Sequence, residues 1–240
     1  MEPQLGLLRK TCCPHCWRYF SPEEILWVSV SPEMVGDPLL GPQQMRRFLP
    51  TRFTLEGNAY DPKGAECREL ACPHCHLPIA RALLEMNPLY VSIFGSPGCG
   101  KSYFLTAMTW KMRQFLPQFF ELEFRDADLV ANRTLTSYEE SLFLRARPEE
   151  PVLLADLIRK TEEQGEQYDL VRYGDKTVLY PRPFLFSLQP MRDHLKANSI
   201  KRLARTLCIY DNAGESFAVG KDLPGNPVTQ HLARANVVIV

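Results

Sequence analysis

The sequence lacks a net charge, a long apolar run and an apolar core in its first residues. Lys and Arg together number 28, as do Asp and Glu, so no excess of charge favours nucleic acid or an acidic membrane. No apolar run reaches membrane-spanning length, and residues 1–11 have no apolar core of the kind that a signal peptide carries. We therefore expect a cytoplasmic chain with no membrane segment and no clear nucleic-acid signal.

The chain has 8 cysteines, but most of them are clustered in pairs rather than spread along the sequence as in a disulfide framework. The segments 13–16 and 72–75 share one tetrapeptide, Cys-Pro-His-Cys. Each Cys-x-x-Cys turn can present two thiolates to one ion, and two turns complete the tetrahedral sulfur set that suits zinc. The alternatives are a redox motif, which rarely occurs as a matched pair, and free buried thiols. The pattern predicts a zinc site formed by Cys13, Cys16, Cys72 and Cys75.

Other residues of ligand type flank the two turns. Because the two pairs already fill four positions, we expect these residues to be neighbours of the ion rather than ligands. They are Cys12, His15, Cys67, His74 and His76. With no position left for water, the predicted site is structural rather than catalytic.

A glycine-rich segment at 95–102 matches the pattern G-x-x-x-x-G-K-[ST]. It follows an apolar run at 89–94 that predicts a strand, and it precedes a helical pattern at 103–116. Glycine lets the backbone turn around an anion, and the first N–H groups of the helix point at it. Lys101 is expected to contact the β- and γ-phosphates, and the Ser102 hydroxyl to bind magnesium. The alternative is a strand–helix turn that binds nothing.

The predicted phosphate cradle consists of the following residues: Gly95, Ser96, Pro97, Gly98, Cys99, Gly100, Lys101 and Ser102.

A second apolar run, at 206–210, ends in Asp211-Asn212-Ala213-Gly214-Glu215. A carboxylate at the end of such a strand, downstream of a phosphate loop, is where a nucleotide-bound magnesium needs a partner. Asp211 is therefore a magnesium candidate, and the Gly214 N–H could approach a γ-phosphate. The alternative is a plain turn that follows a core strand.

The remaining patterns predict an α/β fold in two units. A zinc-ribbon-like module is expected at 1–87, with short helices near residues 22–26 and 80–85 and an ordered loop at 35–64. A three-layer nucleotide-binding domain with a helical insertion is expected at 88–240. Because its last strand, at 236–240, ends with the sequence, we expect the sheet to be C-terminally incomplete.

Within the second unit, Pro117 is predicted to end the helix that follows the loop. The further predicted elements are a strand at 119–124, helices at 126–144 and 152–163, a strand at 184–188 and a helix at 228–235.

The loop at 95–102 and the turn at 211–214 together resemble P-loop GTPases of the Ras and translation-factor class. With the paired Cys-Pro-His-Cys turns and the insertion, the chain more closely resembles the bacterial double-GTPase family, a presumed signalling or conflict-system group. The resemblance implies a P-loop fold and a magnesium-dependent GTP-hydrolysing switch. It implies that Lys101, Asp211, Gly214 and Glu215 serve catalysis, and that the zinc module docks an unidentified protein partner or adds stability.

Two departures from the family pattern leave choices open. Glu215 stands where Ras-like proteins carry glutamine, so it would act either as a base or as a charge that repels the γ-phosphate. The N-K-x-D motif that reads guanine would lie beyond Val240, so GTP and ATP both stay possible. Thr177 is our choice for the switch threonine, ahead of three others (Thr134, Thr136 and Thr161).

Two other functions compete with the GTPase hypothesis. One is an ATP-dependent NTPase, and the other is a non-enzymatic zinc adaptor with a degenerate nucleotide domain. The intact Lys101, Ser102 and Asp211 argue against the adaptor.

Overall fold

The N-terminal part of the chain is built from short antiparallel strands. The computed structural model describes residues 5–96, 98–144, 168–173, 176–211 and 232–240, with side chains described outside 170–181. The first strands are β1 (Thr11–Cys12), β2 (Tyr19–Phe20), β3 (Leu26–Val28), β4 (Val35–Asp37), β5 (Gly41–Met45), β6 (Arg47–Phe48), β7 (Ala59–Tyr60), β8 (Glu66–Cys67), β9 (Leu70–Ala71) and β10 (Pro78–Ile79). One sheet has the order β10-β9-β3-β6, and the other strands pair as β1–β2, β4–β5 and β7–β8.

Two helical segments of this part are close to their predicted places. The first is a single 3₁₀ turn, Pro22–Glu24, in which the Ser21 N–H donates to the Glu24 carboxylate at 2.6 Å, closing the predicted capping box. The second is α1 (Ala82–Glu85). The segment 35–64, expected to be a loop, instead contains β4 to β7, and Gly36 and Gly41 permit the β4–β5 hairpin through φ values of 104° and 103°.

A mixed sheet of five strands forms the rest of the core. The strands after α1 are β11 (Asn87–Ile93), β12 (Leu122–Asp126), β13 (Tyr168–Tyr173), β14 (Lys176–Pro181), β15 (Phe184–Pro190), β16 (Arg205–Asp211) and β17 (Val237–Ile239). The helices are α2 (Lys101–Phe120), α3 (Arg133–Phe143) and α4 (Ile200–Leu203). The sheet order is β12-β15-β16-β11-β17, and β13 and β14 form a separate hairpin. The predicted α/β class is thus confirmed, with β11 parallel to β16 and β17, and β15 antiparallel to both its neighbours.

The two faces of this sheet are covered by different parts of the chain. Side chains alternate along a strand, so Val91, Ile93, Leu207 and Ile209 pack on one face with Leu105 of α2 and Leu135 of α3. On the other face, Tyr90, Cys208 and Tyr210 join a cluster with Cys12, Cys13 and Trp17 of the N-terminal part. The sheet therefore lies between two helices and the N-terminal module, and the two predicted units share one apolar core.

Three boundaries near α2 differ from the prediction. Pro117 lies inside α2, so the predicted stop was wrong, and Phe119 and Phe120 are helical rather than extended. Proline removes one backbone hydrogen bond from the last turn, while the rings of Phe115 and Phe119 stack across it with centroids 5.3 Å apart. The helix predicted from residue 126 begins only at Arg133, because residues up to Asp126 pair with β15.

Several predicted elements fall outside the described residues. They are the helix at 152–163, the turn at 212–215 and residues 228–231 of the last predicted helix. Among the described residues, no helix combines the length and apolar character needed to cross a membrane.

Candidate metal centre and phosphate-binding loop

The two Cys-Pro-His-Cys turns meet at one buried point. The Sγ atoms of Cys13, Cys16, Cys72 and Cys75 all lie within 4.8 Å of one another. The Sγ atoms are 3.7 Å apart between Cys13 and Cys75 and 3.8 Å apart between Cys16 and Cys72. Both distances exceed a disulfide bond, and sulfurs bound about 2.3 Å from a tetrahedral ion lie about 3.8 Å apart. Four cysteines with this spacing could hold a metal ion.

The two turns have the same local geometry. The N–H of His15 points at the Cys13 sulfur and the N–H of His74 at the Cys72 sulfur, each at 3.4 Å. The residue after each turn, Trp17 or His76, has a left-handed backbone with φ near 60°. Backbone N–H donors aimed at sulfur stabilise thiolates, which is the charge state that binds a metal.

The flanking histidines have other partners. His15 Nε2 lies 3.1 Å from the Pro78 carbonyl oxygen, and His74 Nε2 lies 3.3 Å from that of Tyr19. The imidazole of His76 contacts the buried carboxylate of Asp37 at 2.8 Å. The structure therefore places these rings around the sulfur cluster rather than in it.

Burial sets the electrostatics of the sulfur cluster. Cys13 is fully buried, and desolvation together with hydrogen bonds among the neighbouring thiols raises the pKa of its thiol well above the ordinary value. Hydrogen bonds from the neighbouring thiols instead lower the pKa of the Cys16 thiol, so these bonds stabilise a thiolate at that position. Further thiolates in this buried cluster require a compensating cation, which couples their formation to metal binding.

The predicted phosphate loop connects strand β11 to α2. Gly98 and Gly100 have φ values of 75° and 89°, a left-handed conformation that strains residues with a Cβ. A Cβ added to Gly95 would lie 2.8 Å from the Cys99 sulfur, so the loop closes tightly at its first glycine. Pro97 lies outside the described residues.

Lys101, the first residue of α2, folds back over this loop. Its ammonium donates to the carbonyl oxygens of Gly95 and Ser96, both at 3.0 Å, and lies 3.9 Å from the Cys99 sulfur. Among the described residues, no side chain caps α2 at Gly100, and the first turn has no acidic residue. The Lys101 ammonium and the positive end of the helix dipole lie close together and repel each other. An anion bound at this end of α2 would relieve that repulsion.

Strand pairing brings Asp211 to the same place. In the parallel ladder of β11 and β16, Ile93 is paired with Asp211, so the strand that enters the loop ends level with the carboxylate. The Ser102 hydroxyl donates to Asp211 Oδ2 at 2.7 Å. The site lies at the carboxyl ends of parallel strands, where open α/β sheets bind ligands. No family model matches the chain, and neither curated proteins nor solved structures gave a match.

Three further predicted site residues are not placed at this point. Gly214 and Glu215 lie outside the described residues. Thr177 lies in β14 of the separate hairpin, and its side chain is outside the description.

Sequence reasoning missed the residues that connect the two sites. Tyr210 donates a hydrogen bond from its hydroxyl to the Pro14 carbonyl, and Tyr90 donates to the Cys12 carbonyl at 3.1 Å. The Trp17 ring contacts both tyrosines, with centroid distances of 4.8 Å to Tyr90 and 5.6 Å to Tyr210. Each tyrosine was visible as an aromatic residue in an apolar strand, which by itself predicts only burial.

Proposed function

We propose that this chain binds a nucleoside triphosphate with magnesium between the 95–102 loop and Asp211, and hydrolyses it as a molecular switch. The observation that carries the proposal is the 2.7 Å hydrogen bond from Ser102 to Asp211. Two residues 109 positions apart, each chosen from its own sequence pattern, meet at the start of one helix. GTP is the nucleotide expected, because of the resemblance to P-loop GTPases.

The loop supports this proposal through its backbone and Lys101. The start of α2, whose first turn has no acidic residue, offers N–H groups to a phosphate, and the Lys101 ammonium can exchange its carbonyl partners for phosphate oxygens. The left-handed glycines at 98 and 100 keep the loop free of Cβ atoms where an anion would approach.

The donor set beside the loop fits magnesium. The Ser102 hydroxyl and the Asp211 carboxylate are hard oxygen donors of the kind that Mg²⁺ prefers. When bound, magnesium would neutralise charge that develops on the phosphates during transfer. Asp211 would orient the Ser102 hydroxyl by accepting its hydrogen bond, leaving a lone pair of the hydroxyl oxygen available to the ion.

At the second site we propose zinc as the metal. Four cysteine sulfurs within 4.8 Å of one another suit the sulfur ligation that zinc adopts in closed structural sites. Its role is structural, and the module it holds covers one face of the nucleotide-binding sheet.

Nucleotide binding is tested by comparing the wild type with Lys101→Ala. Fluorescent GTP should bind the wild type in the presence of magnesium, and Lys101→Ala should weaken binding at least about a hundredfold by removing the phosphate contact. Lys111→Ala, an exposed lysine on the same helix, is the matched control and should bind like the wild type.

Competition by unlabelled nucleotides in the same assay identifies the base. GTP should displace the probe at lower concentration than ATP. Preference for ATP would make the chain an ATP-dependent NTPase, and equal binding by wild type and Lys101→Ala would reject the nucleotide site altogether.

A further inference from the structure

We propose that Tyr210 is a positioning residue that couples metal binding at the four cysteines to nucleotide binding at Asp211. The inference rests on the proposed nucleotide function and adds a regulation of that site by the metal. It starts from the place of Tyr210, which is fully buried, lies next to Asp211 in β16, and points to the opposite face of the sheet.

The Tyr210 hydroxyl reaches into the first Cys-Pro-His-Cys turn. It donates to the carbonyl of Pro14, which lies between the predicted ligands Cys13 and Cys16. The peptide that accepts this bond therefore belongs to the short turn whose shape depends on two sulfurs facing one ion. A shift of that turn moves the acceptor of a buried hydroxyl, and leaving a buried hydroxyl unpaired is costly.

A parallel connection holds the strand that enters the phosphate loop. Tyr90 of β11 donates to the Cys12 carbonyl at 3.1 Å, one residue before the first ligand. The Trp17 ring, directly after Cys16, contacts the rings of both tyrosines. The two strands that bring Ser102 and Asp211 together are thus both fastened to the same side of the metal site.

At the other end of this connection, the hydrogen bond between Ser102 and Asp211 tolerates little displacement of the strands. The Ser102 hydroxyl and Asp211 Oδ2 are 2.7 Å apart, so a displacement of β16 relative to β11 by even half an ångström or so weakens that bond. Metal binding, by fixing the Pro14 carbonyl, fixes Tyr210 and through it the position of Asp211. Because linkage is reciprocal, a nucleotide held by this arrangement must also strengthen metal binding by the same factor.

The test measures that factor on the full, zinc-loaded chain. Zinc affinity is determined by equilibrium competition with a chromophoric chelator, with and without a saturating slowly hydrolysed GTP analogue and magnesium. For the wild type we expect the nucleotide to raise zinc affinity about fivefold or more. Tyr210→Phe keeps the ring and removes only the hydroxyl, and it should reduce the effect of the nucleotide to less than about twofold.

Matched variants separate coupling from simple packing. Tyr60→Phe, in the N-terminal module, should retain the wild-type factor. Tyr90→Phe should reduce the factor in part, and it provides a second measurement if Tyr210→Phe does not fold. A change in packing alone would alter the zinc affinity or the nucleotide affinity, but it would leave unchanged the factor by which the nucleotide raises zinc affinity.

The possible failures are distinguishable. If the wild type binds the nucleotide but its zinc affinity is unchanged, or if Tyr210→Phe and Tyr90→Phe both keep the full factor, the coupling is wrong and the proposed function stands. If the zinc-loaded wild type binds no nucleotide at all, the proposed function fails and the coupling fails with it.

Discussion

At the scale of single residues, the predicted phosphate loop binds the Lys101 ammonium through its own carbonyl oxygens. The Lys101 ammonium donates hydrogen bonds to the carbonyl oxygens of Gly95 and Ser96, and the Ser102 hydroxyl donates one to the Asp211 carboxylate. The residues expected to touch phosphate and magnesium are therefore held in position by partners that a ligand can replace. Such preorganisation lowers the cost of ordering side chains on binding.

Asp211→Asn should separate binding from turnover. The amide keeps an oxygen acceptor for Ser102 but loses the negative charge that faces the magnesium, so we expect hydrolysis to fall about a hundredfold and nucleotide affinity by less than about tenfold. Single-turnover hydrolysis and equilibrium binding measure the two effects. Asp193→Asn, an exposed carboxylate, is the control, and equal losses in binding and turnover would contradict the assigned role.

Cys72→Ser should remove the bound metal. Serine offers a poor ligand in place of a thiolate, so the zinc content should fall from about one per chain to well below one, measured by elemental analysis of the purified protein. Cys67→Ala is the matched control, because Cys67 is buried in the same module but lies outside the sulfur cluster. An unchanged zinc content in Cys72→Ser would exclude the four-cysteine site.

At the scale of elements, a buried ionic network joins α2, α3 and β12. Glu139 of α3 accepts hydrogen bonds from Thr109 at 2.6 Å and Arg113 at 3.0 Å, both on α2. Arg113 also bonds Asp126 at the end of β12. The network fixes the two helices against each other on the face of the sheet that carries the phosphate loop.

Glu139→Ala should destabilise the protein strongly. The Glu139 side chain is 5% exposed, and its removal leaves the charge of Arg113 and the Thr109 hydroxyl with fewer partners. We expect a loss of about 3 kcal/mol in the free energy of unfolding, measured by urea denaturation. Glu140→Ala, at the exposed neighbouring position, should change stability by less than about 0.5 kcal/mol. Similar losses for both would show that the network contributes little.

The strands of the central sheet were predictable because their signals are local. The runs at 89–94, 184–188 and 206–210 each lie within one or two residues of β11, β15 and β16. Pro117 misled the prediction, because a proline in the last turn of a helix removes one hydrogen bond without ending the element. The strands between 35 and 64 were missed because each pairs over only a few residues, too few to establish a period of two.

The same distinction between local and distant sequence signals applies to the candidate sites. The glycine loop, Asp211 and the paired cysteines were recognised because each motif is complete within a few residues. The contact of Tyr210 with Pro14 joins residues 196 positions apart, and nothing in either local sequence indicates it. Its prediction requires knowing which face of the sheet the N-terminal module covers, and that depends on tertiary packing.

At the scale of the whole molecule, the cysteine module is one layer of the fold. Trp17, Phe20 and three of the four predicted ligand cysteines belong to the same buried cluster as Tyr90, Leu185 and Cys208 of the sheet, and the fourth, Cys16, packs against it. Detaching the module would expose this face of β11, β15 and β16 to water. A layer attached in this way is expected to unfold together with the sheet rather than as an independent unit.

Metal removal should therefore destabilise the sheet and its helices as well as the module. The three tryptophans report both parts, because Trp17 and Trp27 lie in the module and Trp110 of α2 stacks on Phe143 of α3. In urea, helix content followed by circular dichroism and the fluorescence of Trp110→Phe, which keeps only the two tryptophans of the module, should give coincident transitions in the zinc-loaded protein.

After the metal is chelated, both transitions should shift together. We expect a loss of roughly 3 kcal/mol or more, because metal binding to the native thiolates contributes directly to the stability of whatever folds with them. Cys72→Ser should start from the lower stability, and chelator should not change it further. If the helix transition kept its midpoint while only the fluorescence of the module moved, the module would be an independent domain, and its apolar contact with Tyr90 and Tyr210 would contribute little to the stability of the sheet.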